Sequence, residues 1–156
     1  MAIEKARKHL EKWNVEHRIR EFEASSATVE LAAEAIGCET GKIAKSLSFL
    51  LEQDSILIVA AGDAKVDGSK FKMQFGKKAK MIAAEEVLDR IGHEVGGVCP
   101  FGINENVKTY LDVSLKRFEK VFPACGSSNS VIELTIDELE KFSNCNDWVD
   151  VCKNWQ

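Results

Sequence analysis

Gly96-Gly97-Val98-Cys99-Pro100-Phe101-Gly102 packs three glycines and one of the chain's two prolines into seven residues. Glycine reaches backbone angles closed to other residues and lets a ligand approach the main chain, while proline fixes φ and removes a donor. Such a loop offers bare amides of fixed direction, as an oxyanion site requires, and it serves equally well as a tight connection. Lys45 is the second candidate, placed by the local pattern at the end of a short helix just before an apolar strand. A lysine entering a partly desolvated site clamps an anion, whereas a solvated lysine there simply favours the helix C-terminus.

The remaining candidates are less specific. Lys65, Lys70, Lys72, Lys77, Lys78 and Lys80 share their segment with a single acid, Asp67. This gives a local charge of +5 in a chain of net charge −4, so the rest carries −9. Such asymmetry marks either a phosphate-binding face or a solvated one. Phe71 and Phe75 interleave the lysines at the spacing of core anchors on a helix. His93 and Cys99 are six residues apart, and Cys125 precedes Gly126. Either thiol needs a base or a positive field to become a nucleophile, and small buried thiols are the commoner use. Gly126-Ser127-Ser128-Asn129-Ser130 supplies hydroxyl and amide groups in what turn chemistry alone explains. The spacing matches no phosphate loop, dinucleotide fingerprint or metal motif, so neither a metal nor a cofactor is expected.

These groups are carried by a chain of 156 residues, 45% hydrophobic and 29% charged. That length suits one domain spanning 1–156 with a core that needs no disulfide or metal staple. No stretch approaches the roughly 18 apolar residues of a membrane span, and no signal-like run follows the charged N-terminus. A cytoplasmic protein with no membrane partner is expected. The five cysteines are odd in number and form no C-x-x-C pair, which disfavours a disulfide framework.

Periodicity predicts a first helix over 2–14, with Ile3, Ala6, Leu10 and Trp13 on one face. An alternating strand follows at 18–23. Thr28 caps a helix over 29–36 that stops at Gly37, and Thr40 caps a short helix through Lys45. Strands at 47–51 and 56–61 form a hairpin about Gln53-Asp54. The second is continuously apolar, as in a strand covered on both faces. Asp67 caps a helix ending near Phe75, closed by Gly76. A strand at 79–82, a helix at 84–91, strands at 107–113, 121–125 and 131–135, a helix at 136–142 and a strand at 148–152 complete the chain. The class is α+β, built on a curved mixed sheet.

The order of these segments resembles a known family. The helix from Thr28 to Gly37, then Ile43-Ala44-Lys45-Ser46-Leu47, the hairpin, Ala61-Gly62-Asp63, the Gly96–Gly102 loop, and Cys125-Gly126-Ser127 before Ile132-Glu133-Leu134 are similar to the YbaK family. These are trans-acting aminoacyl-tRNA deacylases related to the inserted editing domain of bacterial prolyl-tRNA synthetases. The resemblance runs from about Phe22 to Phe142. It implies a largely antiparallel, barrel-like sheet flanked by helices, and hydrolysis of the ester joining a wrong amino acid to its tRNA. Lys45 matches the family's essential lysine, and Gly96 and Pro100 the ends of its Gly-x-x-x-Pro loop.

The same resemblance implies roles for the other candidates. Main-chain amides of Gly96, Gly97, Val98 and Cys99 would hold the oxyanion. Phe22, Thr28, Pro100 and Phe101 would line the amino-acid pocket, which Cys125, Gly126 and Ser127 would close. Lys65, Lys70, Lys72, Lys77 and Lys78 would meet the acceptor stem of an aminoacyl-tRNA, with a synthetase as a possible further partner. Two other readings stand beside it: a tRNA- or synthetase-binding module of the same fold without activity, and a hydrolase using Cys99.

Overall fold

The computed structural model describes residues 2–155. Its helices begin and end where local chemistry says they must. The first, α1 (Ala2–Glu11), stops three residues short of the predicted helix, and Asn14 turns away at φ 57°. The alternating stretch after it contributes only a short strand, β1 (Arg20–Glu21). Helix α2 (Val29–Ile36) is bounded as expected. The Thr28 hydroxyl accepts from the Leu31 amide at 3.1 Å, and Gly37 closes it at φ 82°.

The predicted helix through Lys45 is reduced to a 3-10 turn at Thr40–Lys42. Lys45 itself lies inside β2 (Ile43–Leu51), hydrogen-bonded in the sheet to β3 (Asp54–Ala61). Pairing with Ala60 and Ala61, distant in sequence, overrides the weak local helix signal here.

After β4 (Lys65–Val66), Asp67 caps α3 (Gly68–Phe75) through the amides of Ser69 and Lys70. Helix α4 (Ala84–Ile91) matches its predicted bounds. The strand expected before it shrinks to one bridge, Met81 against Phe49. Next come β5 (Lys108–Asp112) and β6 (Lys120–Pro123). The predicted strand at 131–135 divides into β7 (Ser130–Val131) and β8 (Leu134–Thr135). Helix α5 (Ile136–Phe142) carries a full capping box of Thr135 and Glu138. Two short strands, β9 (Asp147–Val149) and β10 (Cys152–Lys153), replace the single terminal strand.

The central sheet has the order β8-β6-β2-β3-β5-β9 and curls into a half-barrel. It is mixed, but less antiparallel than expected. Three of its five pairings, β2–β6, β3–β5 and β5–β9, are parallel. Only β2 and β3 are joined by a tight turn, and the chain reaches β5 by a crossover through α3 and α4. Strand β3 sits at the centre with Ile56 to Ala61 buried. Leu57 packs against Val87 and Ile91 of α4, while Ile56 and Ile58 join the larger cluster with Phe49 and Phe71. Coverage on both faces explains its unbroken apolar sequence.

Candidate active site

Strand β2 has one edge that is only partly covered. β6 pairs with it at Ile43 and Ala44, and the chain near Met81 rejoins it at Phe49. Between those two contacts the edge opens into a cleft of about 290 Å³. Its walls come from α2, from Ile43 to Ser48 of β2, from Met81 and Ile82, and from Gly96 and Val98. Ala27, Val29, Ile43, Val87 and Phe122 make much of the surface apolar. Among the residues lining it, Lys45 alone is ionisable.

Lys45 is held from beneath. Its ammonium donates to the carbonyls of Ala64 and, at 3.4 Å, Gly62. An ammonium has three donors, so this geometry leaves one for a ligand oxygen. Burial lowers its pKa from the usual lysine value, against the opposing pull of Cys152 and Asp63. The turn that supplies the two carbonyls is itself clamped. Both Asp63 carboxylate oxygens accept from the Arg117 guanidinium, at 2.6 and 3.0 Å. Those hydrogen bonds keep the Asp63 carboxyl below the usual carboxylate range. Gly62 is pressed against the Thr40 carbonyl and Val29, leaving no room for a side chain.

The sequence-derived residues divide into groups. Thr28, Gly96 and Val98 share the cleft with Lys45. The Thr28 hydroxyl is engaged by the Leu31 amide. Gly97, Gly126 and Ser127 line a second cavity of about 530 Å³, separated from the cleft by Val95, which borders both. The Gly97 N–H donates to the Glu94 carbonyl at 3.0 Å, so this amide is already occupied. Pro100 borders a third cavity with Lys8 and His9. Phe22 packs beneath α2 in the cluster of Phe122 and Val131. Its main chain bonds Asn129 twice, fixing the 126–130 turn.

Cys99, Phe101 and Cys125 are fully buried in the core. Cys99 does meet His93, with Sγ 3.5 Å from Nε2. Yet Nε2 also lies 2.6 Å from the Phe101 carbonyl, which can only accept, so Nε2 carries the proton and is no base for the thiol. Burial pushes the Cys99 thiol up to about 12. Burial pushes Cys125 well up too. Cys99→Ala is therefore expected to keep whatever hydrolysis the wild type performs within about threefold, since a buried, protonated thiol is inert. A loss above about a hundredfold in a folded variant, the scale of a removed catalytic group, would restore the thiol mechanism.

The lysines do not form one patch. Lys70 bonds Asp150 and the Cys152 carbonyl, and Lys77 pairs with Glu52. Lys65, Lys72, Lys78 and Lys80 are exposed. The Lys80 carbonyl accepts from Leu50, which brings the end of the basic segment along β2 to the cleft rim at Met81. Two features escaped the sequence reading: the Asp63–Arg117 clamp and Ser46 in the cleft wall. Both stand in or beside segments that carry the family resemblance, but their role depends on partners 54 residues apart for the clamp and on strand edges for Ser46.

Comparison with known proteins agrees with this architecture. Residues 23–142 match the family model described as an aminoacyl-tRNA editing domain. YwhH of Bacillus subtilis (strain 168), an uncharacterized protein, is 58% identical over 157 residues, covering 100% of both chains. EbsC of Enterococcus faecalis (strain ATCC 700802 / V583), provisionally named a Cys-tRNA(Pro)/Cys-tRNA(Cys) deacylase, is 25% identical over 89% of this chain and 87% of its own. A crystal structure provisionally assigned as a trans-editing enzyme for prolyl-tRNA synthetase superposes with a TM-score of 0.87. It shares 29% identity and covers 97% of each chain. With the half-barrel, the edge cleft and Lys45 at its base, the chain belongs to the aminoacyl-tRNA editing domain family.

Proposed function

We propose that the protein hydrolyses the ester of mischarged tRNA in trans, in the cytoplasm, as a proofreading step of translation. The observation that carries this reading is Lys45: the lone ionisable group of a largely apolar cleft, anchored with one donor to spare. That donor meets a phosphate or ribose oxygen of the terminal adenosine. Exposed Met81 and Val95 at the rim offer apolar surface to the adenine. Thr28, Gly96 and Val98 wall the acyl group, and the 126–130 turn supports the glycine loop from behind. Lys72, Lys78 and Lys80 meet acceptor-stem phosphates, with salt-dependent affinity.

The cleft offers no general base of its own, and the substrate brings what is missing. The free hydroxyl of the terminal ribose positions a water, whose oxygen attacks the ester carbonyl carbon. The bond from that carbon to the ribose oxygen then breaks, and the ribose oxygen takes the water's proton. The protein's part is to bind, orient and stabilise the tetrahedral oxyanion. A panel of tRNAs mischarged with Ala, Ser, Thr or Cys, tRNAPro included, tests this. Release of free amino acid at least about a hundredfold above the spontaneous rate is expected on one or more, a scale typical of such stabilisation. No turnover on any of them by folded protein would overturn it.

A further inference from the structure

The open edge of β2 is bounded on both sides, and the boundary falls around one residue. On one side, Pro123 of β6 is registered with Ala44. Proline has no N–H, so the parallel ladder here runs through Ala44 and stops where Ala124 turns away to bridge Val131. On the other side, Ile82 N–H donates to the Ser48 carbonyl, and Leu50 N–H donates to the Lys80 carbonyl. Along a strand, main-chain groups alternate between its two edges. Residues 44, 48 and 50 bond outward, toward β6 and Met81, so Ser46 also directs its N–H and C=O outward. Among the described residues neither pairing reaches it.

A second observation marks the same residue. Ser46 Oγ is buried without a hydrogen-bond partner among the described residues, and Ser46 lines the cleft. A buried polar atom without a partner carries a desolvation cost that a bound ligand can relieve. One strand residue thus leaves a main-chain donor and a main-chain acceptor unpaired at the cleft edge and carries a hydroxyl with no partner.

We infer that Ser46 recognises the aminoacyl group as a neighbouring strand would. In a hydrogen-bonded antiparallel pair, each residue gives its N–H to the other's carbonyl and accepts at its own C=O. An esterified amino acid has the complementary set: an α-ammonium that donates and a carbonyl that accepts. The α-ammonium donates to Ser46 C=O, and Ser46 N–H donates to the ester carbonyl oxygen. That N–H is then the oxyanion donor, since the same oxygen gains charge when water attacks. The Gly97 amide, engaged by Glu94, is not needed for it. The main chain thereby reads what all amino acids share, and the apolar walls are left to select the side chain. This inference rests on the deacylase reading for its catalytic part, though not for binding.

Two measurements test it separately. In the first, residue 46 is replaced by the α-hydroxy analogue of serine, which exchanges the N–H for an oxygen, keeps the side chain, and otherwise only weakens as an acceptor the Lys45 carbonyl, which faces β3. Deacylation of whichever panel tRNA the wild type accepts is expected to fall by about 10²–10³-fold, as for loss of one oxyanion donor. Ser46→Ala keeps both main-chain groups and is expected to lose far less. A rate within threefold of wild type for the ester form, or an equal loss in Ser46→Ala, overturns the inference.

The second follows main-chain amide resonances of the wild-type protein during titration with 3′-deoxy-3′-(L-alanylamino)adenosine, which has an amide in place of the ester. The Ser46 amide is expected to shift and gain protection from hydrogen exchange. The propionyl analogue, lacking the ammonium, is expected to bind about tenfold more weakly, the scale of a hydrogen bond to a charged group. No shift at Ser46 at millimolar analogue overturns the inference. A shift at Ser46 in a protein that turns over no mischarged tRNA would instead overturn the deacylase reading and leave the recognition mode standing.

Discussion

Lys45→Ala is expected to lower kcat/KM for mischarged tRNA by at least about a hundredfold while leaving the protein folded. The side chain is half-buried, and its ammonium is the one charge in the cleft. In the proposed role, removing it strips the substrate's anionic end of its partner; it also leaves the Gly62 and Ala64 carbonyls to water. The stability cost of those lost hydrogen bonds is on the order of 1 kcal/mol. Lys45→Arg is not expected to restore activity, because a planar guanidinium does not reproduce the placement of three ammonium donors. Burial lowers the Lys45 pKa. In the proposed role the active form is the ammonium, so activity is expected to fall as pH rises through that lowered pKa. Single-turnover assays with a thermal melt on the same samples decide the matter, and a rate within threefold of wild type for Lys45→Ala would refute the role.

Gly97→Ala is the second large effect. A Cβ there would lie 2.7 Å from Gly126 C, 2.8 Å from Ser127 N and 2.9 Å from Gly126 O. All three are main-chain atoms and cannot rotate aside. The glycine loop must lift off the 126–130 turn, which Phe22 and Asn129 hold in place. Overpacking of this kind costs about 1–3 kcal/mol. Gly96 and Val98 form the cleft wall on either side, so their displacement is expected to reduce turnover by about a hundredfold, as small misplacements at reacting groups do. Gly68→Ala is the control, because a Cβ there meets nothing within 4 Å. The loop's shape would have no bearing on the reaction if Gly97→Ala melted and turned over like Gly68→Ala.

Much of the scaffold was legible from residue order. Helices α2, α4 and α5 have their predicted bounds, and α3 lies between its predicted cap and stop. Thr28 with Gly37, and Asp67 with Gly76, act across one turn of chain, where sequence spacing is also spatial spacing. The β2–β3 hairpin is legible for the same reason, although its turn is Glu52-Gln53, one residue before the expected Gln53-Asp54. Where partners are distant, the reading was weaker. The local pattern from Thr40 to Lys45 predicts helix, yet Ile43 to Lys45 are drawn into β2 by Ala60, Ala61 and Phe122. The pattern at 131–135 predicts one strand. It divides because Ile132 turns its N–H to the Pro123 carbonyl between two different pairings.

The glycine loop shows the same limit at the site. Its composition announces a shaped segment, and residues within six positions of one another reach three different places. Gly96 faces the cleft, Gly97 presses on the Gly126 turn, and Cys99 with Phe101 enters the core two positions later. Left-handed angles at Gly96 (φ 95°) and Gly102 (φ 71°) turn the chain between them, and no periodicity describes that path.

By itself, then, the sequence determined the α+β class, the limits of α2, α4 and α5, the apolar central strand and the family of the chain. Those rest on local caps, alternation and order of segments, which are properties of the chain in one dimension. Only the tertiary structure decided what each candidate touches. Lys45 is anchored by carbonyls from a turn 17 and 19 residues away, and that turn is clamped by Arg117. The opening at Ser46 exists because β6 and the Met81 segment, both remote in sequence, each stop short of it. An edge left unpaired is a relation among three segments, and no single one of them encodes it.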